Sequence, residues 1–245
     1  MLRIHVDGPI ATVTLARPER RNALTPEMLE AISEAASRLD ATPEVRAVIL
    51  AGEGRSFCAG FDVDVLASDD LLAGTPGTRL EATDLGRRMA DAWETMRPVS
   101  VAALHGHVVG GGLVLAAACD LRVAAADTVF LVPELDLGIP LGWGGIPRLV
   151  RELGPAKTKE VVMTCRPFGV DEAGDFVNRV VDPEAVLAAA RELAEEVAAR
   201  PEAAVTLTKR HVNAVARHAS GAEFSFADAA GLLAALAERR LGEGT

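Results

Sequence analysis

Cysteine is scarce in this chain, with only Cys58, Cys119 and Cys165 among 245 residues. Their spacing fits neither a metal-ligand pattern nor a framework of paired bridges. That points to a reducing, cytoplasmic setting in which each thiol is a small apolar filler. Cations are also in deficit: 25 Lys and Arg face 35 Asp and Glu, for a formal net charge of −10. That balance argues against a nucleic-acid surface and against an anionic membrane as partner. Long apolar runs are missing too. The longest, Val108 to Cys119, contains three glycines and is bounded by His107 and Asp120, too short to span a bilayer. Residues Met1 to Gly8 hold no apolar segment of signal-peptide length. Several catalytic signatures are absent as well: G-x-S-x-G, the phosphate-cradling Walker loop, H-E-x-x-H and paired-cysteine metal spacing. No residue stands out as a nucleophile, and no metal or separate cofactor is expected.

The length is enough for a full core in one or two domains. Leu2 to Val6 and Ala11 to Leu15 flank Asp7-Gly8-Pro9 and predict a hairpin. A basic loop follows, Arg17 to Leu24, and then a helix start with Thr25 as N-cap and Pro26 in the first turn. Arg46 to Gly52 has the continuous apolar character of a buried parallel strand. Residues 67–78 are polar and rich in breakers, which predicts an irregular segment and a possible lid. Leu80 to Met96 predicts a helix. Val99 begins a β-rich run that reaches Gly110-Gly111-Gly112 and continues as a Leu/Val/Ala helix to Asp120. Short strands at 121–124 and 128–132 follow, then the Gly/Pro-rich stretch Pro133 to Pro147. From Arg148 helices dominate, at 148–153, 156–164, 171–175, 183–200, 201–218 and 222–240, with one strand at 179–181. Strand and helix alternate through the first two thirds, so the expected fold class is α/β.

Two glycine loops and one carboxylate loop make a coherent set. The loop Glu53 to Asp62 follows a strand's carboxyl end, where α/β folds place ligands. The triple glycine opens a helix, whose first N–H groups lack partners and whose dipole is positive there. This junction is open to two uses, a tight buried turn or a cradle for a developing oxyanion. Glu134 sits among Val132, Leu135 and Leu137, which predicts a raised pKa and a role in proton transfer. His105 and His107 flank Gly106 and read as turn or core histidines.

Taken in order, Arg17-Pro-Glu-Arg-Arg-Asn-Ala-Leu24, Ser56-Phe-Cys-Ala-Gly-Phe-Asp62, His105-Gly-His-Val-Val-Gly-Gly-Gly112, Ala118-Cys-Asp-Leu-Arg122 and Pro133-Glu-Leu-Asp-Leu-Gly138 resemble the crotonase superfamily, the enoyl-CoA hydratase/isomerase family. The resemblance covers nearly the whole chain. It implies a crotonase-like spiral of βαβ units over 1–182 and a helical C-terminal region over 183–245. That region would make homo-trimers, often paired into hexamers. It also implies an acyl-CoA thioester as substrate, coenzyme A being part of the substrate rather than a cofactor. The N–H groups of Phe61 and Gly111 would form the oxyanion hole, and Glu134 would be the catalytic base. Arg20 and Arg21 are candidates for the CoA phosphates, or else solvated loop charges. Ala23, Cys58, Ala59, Gly60, Asp62, Gly110, Val114, Asp136 and Trp143 are the remaining candidates for contact with the bound substrate. Trp143, Phe168 and 67–78 are candidates for shaping its acyl end.

Departures from the family pattern narrow the chemistry. Family hydratases carry one glutamate three residues past the middle glycine and a second in the Pro-Glu loop. Here the first position is Val114 and only Glu134 remains. A single carboxylate suits the shift of a 3-enoyl to a 2-enoyl thioester. Hydration by Glu134 alone or with Asp136 is the alternative, and acyl-CoA binding without catalysis a third. The dienoyl-isomerase branch would carry an aspartate where Gly142 stands. The last residues, Glu238 to Thr245, stop short of the family's extended tail, which puts any contact made by that tail in doubt.

Overall fold

The computed structural model describes residues 1–68, 70–221, 225 and 227–243. Strands β1 (Leu2–Asp7) and β2 (Ile10–Leu15) form the expected antiparallel hairpin. Helix α1 (Pro26–Asp40) starts as predicted, with Thr25 Oγ1 accepting from the Met28 N–H at 3.4 Å. A cap of this kind stabilises a helix by about 1 kcal/mol. Strand β3 (Ala47–Gly52) then pairs with β2 in parallel.

A short helix α2 (Val63–Ala67) and a longer α3 (Pro76–Thr95) lead to β4 (Val99–Leu104). The expectation of an irregular segment over 67–78 is corrected here. A 3₁₀ turn covers Asp70–Leu72, Leu71 is buried, and α3 begins at Pro76 rather than Leu80. Thr75 caps it through Oγ1 and the Thr78 N–H, the same device as at Thr25. Asp69 lies outside the described residues.

Strand β5 (His107–Val109) enters helix α4 (Gly111–Ala118), and β6 (Leu121–Ala125) and β7 (Val129–Leu131) follow. Helix α5 (Gly145–Thr164) is broken at Gly154, where φ is +76° and ψ 162°, which matches the two predicted helices. Then come β8 (Phe168–Gly169), α6 (Val170–Ala173), β9 (Arg179–Val181), α7 (Val186–Ala198), α8 (Glu202–Ser220) and α9 (Asp228–Glu243). Part of the predicted 222–240 helix lies outside the described residues, as do the last two residues of the tail.

The main sheet has the order β1-β2-β3-β4-β6-β9, parallel throughout except for the hairpin. Its central strands are buried on both faces, and alternate residues serve alternate cores. Ile49 and Val101 face Ala190 and Ala194 of α7. Leu50, Ala102 and Leu104 face a larger core built with α1, α3, α4 and α5. A second sheet, β5-β7-β8, lies beside α4.

Helix α4 is apolar on every side and fully buried. Having no polar side chain of its own, it depends on neighbours to satisfy its ends. At the C-terminal end the buried Arg122 guanidinium donates to the carbonyls of Cys119 (2.7 Å) and Ala116 (3.4 Å) and pairs with Glu152 at 2.8 Å. A cation there also complements the helix dipole. The N-terminal end is left to the site.

Candidate active site

The segment after β3 is set by one side chain that the sequence reading passed over. Asn22 is fully buried, with φ +57°. Its Nδ2 donates to the carbonyls of Glu53 (2.9 Å), Ser56 (2.9 Å) and Phe57 (3.1 Å), while its Oδ1 accepts from the Arg17 N–H at 2.9 Å. Asn tolerates the left-handed conformation better than other non-glycine residues. The only signal for it in the sequence is an Asn in the loop just ahead of a capped helix. With this loop pinned, Ala59 donates to the Arg21 carbonyl, and Leu24 and Phe61 form a short parallel bridge.

Gly60 has φ +85°, and a Cβ there would lie 2.8 Å from the Val109 carbonyl oxygen and 3.5 Å from the Gly111 nitrogen. The absence of that Cβ brings the Gly60–Phe61 backbone against the first turn of α4. Among the described residues, neither the Phe61 N–H nor the Gly111 N–H donates to a backbone carbonyl or a side chain. Two unpaired donors beside a helix N-terminus can hold a negatively charged oxygen.

The acid side comes from the stretch after β7. Residues 134–138 form a compact turn in which Leu137 and Ile139 donate to the Glu134 carbonyl. Glu134 as a residue is half-buried, but its Oε2 is sealed from solvent and has no hydrogen-bond partner among the described residues. Burial pushes this carboxyl up to about 7, against a small opposing effect from its own backbone N–H. Gly110 makes the approach possible, because a Cβ there would fall on Glu134 Oε1. The carboxyl therefore lies against the turn that starts α4.

Glu134, Phe61 and Gly111 line one apolar cavity of about 60 Å³ together with Val114 and Trp143. Val114 is fully buried, so that part of the cavity wall is hydrocarbon. Trp143 has φ +62° and meets Phe61 edge to face, with ring centroids 5.6 Å apart. Leu71 and Leu66 close another side.

Other predicted residues fall elsewhere. Asp136 is exposed and off the cavity. The turn is helix-like rather than extended, so residues i and i+2 point apart. Cys58 is fully buried, bonds to the Asn22 carbonyl at 3.2 Å, and has its thiol pushed up to about 12 by burial. It supports the loop and is inert as a nucleophile. Ala23 is buried and its carbonyl accepts from Arg17. Asp62 is buried, caps α2, and pairs with Arg17 at 3.3 Å and Arg20 at 3.1 Å. Burial opposes its ionisation, but the cap N–H and the arginines together hold it below the ordinary carboxylate range. Arg20 is thus tied to Asp62 and to Asp64. Arg21 is exposed and lines a separate groove with Arg55 and His107. Phe168 packs on Phe130 with centroids 5.3 Å apart, away from the cavity. His105 Nε2 lies 3.0 Å from the Gly54 carbonyl, in keeping with a turn histidine.

Among the described residues there is no group of three His, Cys, Asp or Glu arranged to hold a metal. No described helix is long and apolar enough to cross a membrane.

Comparison with known proteins fits this geometry. The sequence model of the family described as enoyl-CoA hydratase/isomerase matches residues 6–240. A protein named short-chain-enoyl-CoA hydratase, from Clostridium acetobutylicum, is 33% identical over 210 residues, covering 84% of this chain and 78% of its own. One named crotonyl-CoA hydratase, from Syntrophomonas wolfei, is 33% identical over 207 residues, covering 83% and 78%. The crystal structure of a probable enoyl-CoA hydratase from Mycobacterium smegmatis superposes with a TM-score of 0.83 at 32% identity, over 96% of this chain and 95% of that one.

Proposed function

Because the chain belongs to the enoyl-CoA hydratase/isomerase family and is an enzyme of the crotonase superfamily, we propose that it moves the double bond of a 3-enoyl-CoA to the 2-position with Glu134 as its single proton carrier. The observation that carries this reading is that, among the described residues, Glu134 brings the one carboxyl group to a cavity that Val114 also lines. In this mechanism the thioester oxygen accepts hydrogen bonds from the Phe61 and Gly111 N–H groups. That lowers the cost of removing a proton from C2, and Glu134 takes it. The negative charge spreads over the dienolate and rests on the oxygen between the two donors. Glu134, now a carboxylic acid, returns the proton to C4, so no atom is gained or lost. A carboxyl with a pKa of about 7 suits both halves of that cycle at neutral pH.

Water addition to a 2-enoyl-CoA is the second reading, supported by the names of the relatives. It requires Glu134 alone to position the water and to move its proton, since Asp136 lies outside the cavity. The groove holding Arg21, Arg55 and His107 suits phosphate groups of coenzyme A. Helix α8 leaves Leu207, Val212 and Val215 exposed, an apolar face suited to other copies of this chain in a trimer or hexamer. Three buried free cysteines agree with a cytoplasmic setting.

The test is product identification. Purified protein is incubated separately with a 3-enoyl-CoA and a 2-enoyl-CoA, with Glu134→Gln as control. Formation of 2-enoyl-CoA from the 3-isomer, without 3-hydroxyacyl product and lost in the variant, is the expected result. Rapid 3-hydroxyacyl-CoA formation from the 2-enoyl substrate would replace isomerisation with hydration.

A further inference from the structure

We propose that Trp143 sets the length of acyl chain the cavity accepts, limiting it to short chains. This rests on the acyl-CoA reading above and adds the chain length and the residue that fixes it. The starting point is volume. The cavity is small, about 60 Å³. With the thioester carbonyl at the Phe61 and Gly111 donors, the acyl group enters a space that Trp143 bounds.

The wall that stops a longer chain is the indole. Trp143 is seated between two glycines from different helices. A Cβ on Gly86, in the middle of α3, would overlap its Cδ2 and Cε2, and a Cβ on Gly111 would overlap its Cζ3. Glycine inside a helix is costly relative to alanine, and at 86 the missing side chain is the recess that takes the ring. Leu66, Leu71, Ile139 and Leu232, elsewhere on the wall, are branched aliphatic side chains. Trp143 packs between Gly86 of α3 and Gly111 of α4.

Its backbone is also held. Arg148 Nη1 donates to the carbonyls of Trp143 (3.1 Å) and Gly144 (3.2 Å), and Asp228 Oδ2 accepts from the Gly144 N–H at 2.7 Å. With the turn tied from α5 and α9 and the ring wedged against Phe61, a longer chain meets a fixed wall. Truncating the indole joins the space it occupies beside Gly86 to the cavity.

The test uses saturated acyl-CoAs of two, four, six, eight and ten carbons, measured by competitive binding to the full chain. Wild type is compared with Trp143→Ala and Trp143→Phe. Wild type should bind butanoyl-CoA at least tenfold more tightly than octanoyl-CoA. Trp143→Ala should change that ratio at least tenfold in favour of octanoyl, and Trp143→Phe should fall between. If the alanine variant does not fold, as judged by its melting curve, the phenylalanine variant decides by the same ratio. Equal binding of butanoyl- and octanoyl-CoA by wild type, or an unchanged ratio in the variants, would overturn this inference and leave the enzyme's chemistry untouched. Failure to bind at every chain length would overturn the acyl-CoA reading and this inference with it.

Discussion

Two glutamates whose carboxyl oxygens are withdrawn from solvent, Glu94 and Glu134, are treated in opposite ways. Glu94, near the end of α3, is 3% exposed and surrounded by cations. Arg148 approaches its carboxylate at 2.7 Å, Arg217 at 3.2 Å, and Arg151 also pairs with it. Burial opposes its charge, but the arginines prevail and hold the carboxyl below its ordinary range. Glu134 has one oxygen sealed without a partner, and burial alone pushes it up to about 7. A buried charge with its counter-ions stays ionised and ties helices together. A buried acid without them is poised to gain or lose a proton near neutral pH. Arg148 joins the two regions, because the same guanidinium that neutralises Glu94 holds the turn carrying Trp143.

Removing each carboxylate should therefore have opposite consequences, and the largest is at Glu134. Glu134→Gln keeps the shape and loses the proton carrier, so kcat should fall by about 10²–10⁴-fold. The wild-type rate should rise with pH to a plateau above about 7, since the base must be deprotonated, and fall tenfold per unit below. The same substitution should stabilise the fold. A carboxyl raised from 4.5 to about 7 favours the folded state only while protonated. That contribution is whole below the ordinary pKa and gone once pH passes the folded one. Glu134→Gln should then be more stable than wild type by up to about 3 kcal/mol above pH 7, and the gain should vanish below the ordinary pKa. Melting curves at pH 4 and pH 8 would show it. A variant equally stable at both, relative to wild type, would mean that Glu134 has a partner or solvent in the folded protein.

Glu94→Gln should do the reverse. Arg148 and Arg151 lose a buried counter-charge, though each keeps a second carboxylate, Asp91 and Glu152, and the cost is about 3 kcal/mol. For a chain of this size that is a melting temperature lower by roughly 10 °C. Because the folded carboxyl is held below its ordinary pKa, its stabilisation is present above that value and lost on acidification. Wild type and variant should converge at low pH. The pH–rate limb near 7 should persist in the Glu94 variant at a temperature where it is folded. Loss of that limb would mean the two glutamates titrate together.

Much of this difference was hidden in the sequence, for a physical reason. Local signals served well. Thr25-Pro26 marked a helix start, the apolar run at 47–52 marked a buried parallel strand, and the triple glycine marked the entry to α4. The raised acid at Glu134 was also anticipated, yet partly on wrong grounds. Leu135 and Leu137 turn outward, 44% and 36% exposed, and the sealing comes from distant elements. In 67–78 the local signals conflict: Gly, Pro and Asp mark a break, while Thr75-Pro76 is a helix start of the same kind as Thr25-Pro26. The contacts of Asn22 with Glu53, Gly86 with Trp143 and Arg148 with Glu94 reach across 31 to 57 residues, and no periodicity marks such pairs. Composition can show that an acid has few polar neighbours in the chain; only the fold shows which cations reach it.

The finest division lies within the Glu94 cluster itself. Arg148 and Arg151 are largely buried, at 5% and 16% side-chain exposure, while Arg217 is 35% exposed. Solvent screens an ion pair at such a position, so Arg217→Ala should cost about 1 kcal/mol or less. That loss should shrink further in high salt. Arg148→Ala should cost several times more, since Glu94 then loses its most buried partner and the Trp143 and Gly144 carbonyls lose their donor. Thermal melts of both variants at low and high salt separate the two. Equal losses would mean that Glu94 is neutralised by the whole cluster rather than by its inner pair. In that case the tie between Glu94 and the Trp143 turn would not depend on Arg148 in particular.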